Sequence, residues 1–370
     1  MLYTVAVRRA CGFAVVVFAA QVILPAAPTA QADTRPSFAD FLAGVRTEAL
    51  ARGIRADVLD EALAHIDEPS AVVIERDRTQ AETVLPLEKY VERRLTSKVV
   101  ATGREMIARH HDLLEEIGDR YGVPPSLIIS IWGFESNFGR FSGVRPTITA
   151  LATLAWDPRR SALFRAELFD ALEILNRGDI EFPRLRGSWA GAMGQVQFMP
   201  SSYLKFAEDF DGDGRRDIWA TQADVFASIA NYMTGNGWTT GDTWGREVKI
   251  SPDARRRIAN EVERRNGTCQ ARRDMTTALP AARWRELDVR TASGQPLPAT
   301  MPDAALVSGQ TRSFLVYHNY DALLEYNCAH SYAIAVSLLA DRLDSADAPD
   351  SPPSGSSLKQ ARKSARKATR

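Results

Sequence analysis

The segment from Tyr121 to Gly139 constrains the fold of this chain more than any other, because it predicts a helix that is buried over a broad face. Pro124 and Pro125 stand where the first turn of a helix tolerates proline. The predicted face combines apolar side chains with one carboxylic acid and comprises Leu127, Ile128, Ile131, Trp132 and Glu135. Such a helix needs neighbours that cover it, so the sequence predicts a mainly α fold.

Helical periodicity continues on both sides of this segment. It covers residues 37–117 and returns at 163–176, 201–208, 224–233 and 321–343. After Trp238, glycine and proline interrupt the pattern, and short strand-like runs occur at 247–250, 305–307 and 314–317. The sequence therefore predicts a β-containing insertion within a helical protein.

A chain of 370 residues is too long for one small core. The patterns divide it into six regions. We expect a leader at 1–32, an N-terminal helical region at 33–118, a helical core at 119–238, a small α/β insertion at 239–317, a helix at 318–344 that completes the core, and a disordered tail at 345–370. The hydrophobic content of 45% excludes a fully disordered chain.

The first 32 residues predict a cleaved secretory signal peptide. Arg8 and Arg9 precede an apolar run at 12–24, and Ala30-Gln31-Ala32 offers a cleavage site with small residues. A membrane anchor is the alternative, because residues 10–32 carry no charge. Two prolines in the second half of that stretch favour cleavage and export.

Charge is balanced over the whole chain, with 46 basic and 46 acidic residues, so nothing points to a nucleic-acid partner. The tail at 345–370 is rich in Pro, Ser and Gly and ends in a basic stretch, which predicts disorder. Two interpretations of the tail stay open: a weak contact with anionic envelope surfaces, and a solvated end with no partner.

Cys269 and Cys328 are the two cysteines of the exported chain. Disulfides persist in oxidising compartments, so we predict that these two cysteines form a bridge. Two buried free thiols are the alternative.

Glu135 is the first candidate for chemistry, because it stands at the end of the apolar helix. Loss of water around a carboxyl group raises its pKa, and a protonated acid can donate a proton to a glycosidic oxygen. A carboxylate that only pairs within the core is the alternative.

A second candidate is the segment from Ser188 to Ser202. Its glycines allow close approach of a ligand to the backbone, while its Gln and Ser side chains offer hydrogen bonds.

An acidic loop matches the first half of an EF-hand calcium site, with glycine at its sixth position, Gly214. The twelfth position is Ala220 instead of the usual glutamate, and Asp224 is the next acid that could close the site. We predict structural calcium and no organic cofactor; a solvated acidic turn is the alternative. The expected ligands are Asp209, Asp211, Asp213, the carbonyl of Arg215, and Asp224.

Taken together, these segments resemble the lytic murein transglycosylase B family from about Phe38 to Leu343. The motifs that carry the resemblance are Glu135–Gly139, Ser188–Gln195, the acidic loop, Asn231-Tyr232 and Tyr326-Asn327. The resemblance implies a lysozyme-like helical core with a flanking helical domain and a small β-containing domain. It also implies a soluble periplasmic protein, because the lipobox cysteine of the anchored members is missing.

The resemblance further implies cleavage of the β-1,4 bond between N-acetylmuramic acid and N-acetylglucosamine in peptidoglycan, with formation of a 1,6-anhydro ring. Glu135 would be the catalytic acid and base of what we expect to be a monomer. Positions that resemble substrate contacts are Ser188, Gln197, Tyr232, Asn327 and Tyr332, with Arg159 and Arg160 near the peptide side.

Two other functions remain open at this point. One is a muramidase that uses water, with Asp157 or Asp170 as a second acid. The other is a wall-binding protein without catalysis. The mass of the products distinguishes the first from a transglycosylase, because hydrolysis products are heavier by one water.

Overall fold

A computed structural model describes residues 35–79 and 85–345 of the chain. The predicted signal peptide and all but the first residue of the tail lie outside the described residues, so both stay predictions. Within the described part, no helix has the length and apolar character needed to cross a membrane.

Six helices precede the segment on which the fold depends, as the periodicity predicts. They are α1 (Phe38–Ala51), α2 (Ala56–Leu63), α3 (Ala71–Thr79), α4 (Leu87–Arg94), α5 (Ser97–Arg109) and α6 (His111–Tyr121). Side chains cap two of them: the Ser37 hydroxyl accepts a hydrogen bond from the amide of Asp40 at 3.1 Å, and Thr96 caps α5 in the same way.

The central buried helix is α7 (Pro125–Ser136). The prediction that it begins at Tyr121 is wrong, because Tyr121 ends α6 and Gly122 closes that helix with a φ of 67°. Asn137, with a φ of 52°, ends α7 before the predicted Gly139. The four helices that follow it are α8 (Thr147–Trp156), α9 (Ser161–Arg177), α10 (Pro200–Phe206) and α11 (Gln222–Gly235). A short ladder pairs β1 (Arg145–Pro146), which precedes α8, with β2 (Arg186–Gly187), which follows α9.

The insertion contains an antiparallel sheet in the order β4-β3-β6-β5. Its strands are β3 (Gly245–Lys249), β4 (Arg290–Thr291), β5 (Ala305–Ser308) and β6 (Ser313–Val316). Three of these confirm the predicted runs, whereas β4 was not predicted. Helices α12 (Pro252–Glu261), α13 (Gln270–Asp274) and α14 (Ala281–Glu286) complete the insertion, which has its own small core around the buried Trp284.

The chain then returns to helix as α15 (Asn319–Tyr326) and α16 (His330–Asp344). The prediction of one helix over 321–343 is wrong, because Asn327 and Ala329 adopt extended backbone conformations between the two helices. Cys328 lies in this break and forms the predicted disulfide with Cys269. Helix α16 packs on α7, together with α5, α6 and α11, so α7 is enclosed by helices from both ends of the chain.

Candidate active site

Glu135 lies in the last turn of α7, half-buried at the base of a groove. The hydroxyl of Tyr332 donates a hydrogen bond to its Oε1 at 2.5 Å. Burial raises the pKa of Glu135 to about 7, although the Tyr332 hydrogen bond and the positive charge of Arg94 act to lower it. The carboxyl group therefore retains a proton near neutral pH, in the direction expected from the sequence.

Tyrosines from α11, α15 and α16 form the wall behind this carboxyl group. Tyr332 is buried and stacks on Tyr326, with ring centroids 6.5 Å apart. The Tyr326 hydroxyl donates to the carbonyl of Val196 at 2.8 Å, which ties this wall to the loop before α10. Tyr232 packs on Tyr326 at 4.7 Å, and its hydroxyl donates to a backbone carbonyl of α15. Tyr232 thus supports the wall from within the core.

Arg94 is a part of the site that the sequence analysis missed. Its guanidinium donates to the carbonyl of Phe134 at 2.7 Å and lies 4.5 Å from the centre of the Phe134 ring. No local pattern indicates this contact, since Arg94 belongs to α4, which packs against α16, and its side chain meets the end of α7 only in the folded protein. It places a positive charge close to the single acid.

The groove above Glu135 encloses about 300 Å³. Among the described residues that line it, Glu135 carries the one carboxyl group. Ser188, Trp189 and Gln197, all from the predicted segment, line it, whereas the remaining lining residues were missed. These are Arg76, Phe141, Gly143, Val144, Arg145 and Gly187.

Hydrogen bonds hold the Ser188 and Gln197 segment in shape. The Ser188 hydroxyl oxygen accepts from the amides of Ala190 and Ala192 at 3.2 and 3.1 Å, so its own hydrogen remains available to a ligand. Gln197 has a φ of 52°, and its side-chain nitrogen Nε2 donates to the carbonyl of Gly194 at 2.9 Å. Its side-chain oxygen has no donor within the described part of the chain. Both residues can therefore offer polar contacts to a sugar.

Two glycines allow the rim of the groove to close tightly. A Cβ on Gly143, whose φ is 92°, would lie 2.1 Å from the backbone of Gly187. Across the β1–β2 ladder, Arg145 stands opposite Gly187. The ladder therefore fixes Arg145 beside Ser188.

Five predicted contact residues do not line the groove. Tyr232 and Tyr332 lie in the wall behind Glu135. Asn327 is exposed in the break between α15 and α16. Arg159 forms ion pairs with Asp77 at 2.6 Å and Asp157 at 2.9 Å, and Arg160 also pairs with Asp77. Their part in binding a substrate stays a prediction.

Hydrolysis with water requires a second acid. None of the described residues that line the groove supplies one. Asp157 is engaged by the guanidinium of Arg159 through two hydrogen bonds. Asp170, on α9, interacts electrostatically with Arg52 and does not line the groove. The geometry favours chemistry with a single carboxyl group.

The acidic loop brings together three of the four predicted carboxylates. Asp209, Asp211 and Asp213 each offer one oxygen, and these oxygens lie within 4.8 Å of one another. Asp209 Oδ1 is buried without a hydrogen-bond partner in the described structure, as expected of a metal ligand. The set fits a hard divalent cation such as calcium.

Asp224 closes this loop from behind. Its two oxygens accept from the amides of Phe210 at 2.8 Å and Asp217 at 2.7 Å. Burial raises its pKa to about 6. The structure thus gives Asp224 a role in holding the loop, while its part as a ligand, like that of the Arg215 carbonyl, stays a prediction.

Known proteins are similar to this chain in sequence and in fold. The family model described as Transglycosylase SLT domain matches residues 37–341. Membrane-bound lytic murein transglycosylase B of Escherichia coli K12 is 40% identical over 156 residues, which is 42% of this chain and 43% of that relative. The match therefore spans less than half of the relative's length.

Two solved structures extend the comparison. SltB3 from Pseudomonas aeruginosa in complex with NAG-anhNAM-pentapeptide has a TM-score of 0.74 and 39% identity, over 84% of this chain and 80% of that one. The Escherichia coli lytic transglycosylase Slt35 in complex with calcium has a TM-score of 0.67 and 27% identity, over 84% and 93%. These matches confirm the predicted lysozyme-like, mainly α fold class.

Proposed function

This chain belongs to the Transglycosylase SLT domain family, and from that premise we propose that it is a peptidoglycan lytic transglycosylase. It cleaves the β-1,4 bond between N-acetylmuramic acid and N-acetylglucosamine and leaves a 1,6-anhydro ring on the muramic acid. The observation that carries the proposal is Glu135, the one carboxyl group among the described lining residues, with a raised pKa of about 7.

A single carboxyl group can perform both proton transfers of this reaction. Protonated Glu135 donates to the bridging oxygen as the glycosidic bond breaks, and the N-acetyl carbonyl of the substrate stabilises C1. The ionised Glu135 then accepts the proton of the C6 hydroxyl as that oxygen attacks C1. The Tyr332 hydroxyl, at 2.5 Å, stabilises the ionised carboxylate between the two steps.

The groove supplies the groups that would position the sugars. Ser188 and Gln197 offer a hydroxyl donor and an amide acceptor beside Glu135, and Phe141 and Trp189 offer ring faces on which sugars can pack. We keep Tyr232, Asn327, Arg159 and Arg160 in the proposal as substrate contacts from the family resemblance.

We also propose that calcium stabilises the acidic loop through Asp209, Asp211, Asp213, the carbonyl of Arg215, and Asp224. The protein would act as an exported, periplasmic monomer on glycan strands. No organic cofactor takes part in this reaction, because proton transfer and the substrate's own hydroxyl suffice.

Digestion of purified peptidoglycan tests the proposed reaction. We expect the wild-type protein to release anhydromuropeptides, and Glu135→Gln to lose roughly 100-fold or more of this activity, because general acid–base catalysis contributes about that much. Glu115→Gln, on the exposed face of α6, is the matched control and should retain full activity. Products heavier by one water would show a hydrolytic muramidase instead, and unchanged release by Glu135→Gln would exclude the assigned acid.

A further inference from the structure

Two guanidinium groups in the groove have no partner among the described residues. Arg76 and Arg145 both line it, and neither side chain forms an ion pair or a hydrogen bond with any residue of the described ranges. Arg159 and Arg160, in contrast, are engaged by Asp77. Arginines that line a groove without being paired to a carboxylate are suited to bind one from a ligand, through two parallel N–H donors.

Neighbouring elements hold the backbone of both arginines in place. Arg145 belongs to β1 and pairs with Gly187 across the ladder. Arg76 belongs to α3, which packs against α8. Its neighbour Asp77 has a buried side chain that binds Arg159 and Arg160 from the start of α9, so this ion-pair cluster fixes α3 beside the groove. The backbone of both arginines is therefore held at the rim of the groove, while their side chains stay free to meet a ligand.

The chemistry of the substrate supplies the missing carboxylate. In stem-bearing peptidoglycan the sugars are uncharged, because the lactyl group is joined to the peptide by an amide bond, and the negative charges belong to the peptide stem. We infer that Arg76 and Arg145 bind a carboxylate of the peptide stem and so make the enzyme selective for glycan that carries stems. This inference rests on the proposed function and adds to it the part of the substrate that these residues recognise.

Soluble, uncross-linked glycan strands with pentapeptide stems provide the test, in two forms: one with free stem carboxylates and one with these groups converted to amides. We expect amidation to lower kcat/KM of the wild-type enzyme roughly tenfold or more, which is the scale of one charged hydrogen bond. Arg76→Gln and Arg145→Gln should show a similar loss on the free-carboxylate strands and little further loss on the amidated strands. Arg76→Lys and Arg145→Lys should recover part of it.

Arg78→Gln is the matched control, since Arg78 is exposed on the same helix and does not line the groove. It should behave as wild type on both substrates. Equal cleavage of both strands by the wild-type enzyme, or losses in the two Gln variants that persist on amidated strands, would overturn the assignment of Arg76 and Arg145 while leaving the lytic reaction intact. Absence of anhydro products from either strand would overturn the proposed function as well.

Discussion

Glu135 is subject to opposing effects that its immediate surroundings determine. Removal of water favours the neutral acid, whereas the Tyr332 hydroxyl and the Arg94 charge favour the carboxylate. Desolvation is the largest of these effects, so the net result is a raised pKa. This balance suits the proposed role, in which Glu135 first donates a proton and later accepts one.

The hydrogen bond from Tyr332 gives a prediction about pH. Tyr332→Phe removes a donor that stabilises the ionised form, so the pKa of Glu135 should rise further above about 7. The acid then stays protonated to higher pH, and the alkaline limb of the kcat/KM profile should move upward in pH while the maximal rate falls. A pH series of anhydromuropeptide release measures both effects.

Tyr326→Phe is the control for this experiment, because the Tyr326 hydroxyl donates to the Val196 carbonyl and not to Glu135. It should leave the alkaline limb in place. If the alkaline limb of the Tyr332→Phe profile stayed at its wild-type pH, the hydrogen bond would have no influence on the pKa of Glu135.

At the scale of elements, the acidic loop joins α10 to α11 through contacts that depend on charge. Asp209, Asp211 and Asp213 lie close together, so their mutual repulsion is unfavourable without a cation. Asp224, at the start of α11, holds the loop in register through two backbone amides. A bound cation would therefore stabilise the connection between two core helices.

This arrangement predicts a thermal response to calcium. Calcium should raise the melting temperature of the purified protein by several degrees, because a ligand that binds only the folded state stabilises it. Chelation should reverse the rise. Asp211→Asn should weaken the response, whereas Asp303→Asn, an exposed residue of the insertion, should keep it. Identical melting curves with calcium and with chelator would contradict the proposed site.

At the scale of the whole molecule, several contacts attach the insertion to the helical core. Glu88 of α4 accepts hydrogen bonds from the amides of Thr311 and Arg312 at 2.7 and 2.9 Å. The Cys269–Cys328 disulfide joins the start of α13 to the break before α16, the helix that carries Tyr332. The insertion is thereby attached to α4, which carries Arg94, and to the segment that leads into α16, which carries Tyr332.

The disulfide should contribute to global stability. Because it closes a loop over a sequence separation of 59 residues, its removal in Cys328→Ser should cost roughly 2–4 kcal/mol of unfolding free energy. Denaturant titration under non-reducing conditions measures this loss. Cys269→Ser and the double variant should lose the same amount, since each removes the same bond. A larger loss in the double variant would indicate separate packing roles for the two side chains.

Patterns that depend on neighbours along the chain were predictable. The apolar face of α7 with Glu135 at its end, the three strands at 247–250, 305–307 and 314–317, and the spacing of the acidic loop are all short-range features. The errors also have local causes. Gly122 and Asn137 end helices through their positive φ values, and the extended residues around Cys328 interrupt a helical pattern whose periodicity continues on both sides.

The sequence by itself thus determined the helical fold class, the family resemblance and the identity of the single acid, because each depends on residue type and short spacing. Only the tertiary structure decided which side chains surround that acid. Arg76 and Arg94 come from α3 and α4 in the N-terminal region, whereas the hydroxyl that binds Glu135 comes from Tyr332 on α16, near the other end of the chain. Their positions follow from how the helices pack around α7, which depends on the whole core at once and leaves no periodic signal in any one segment.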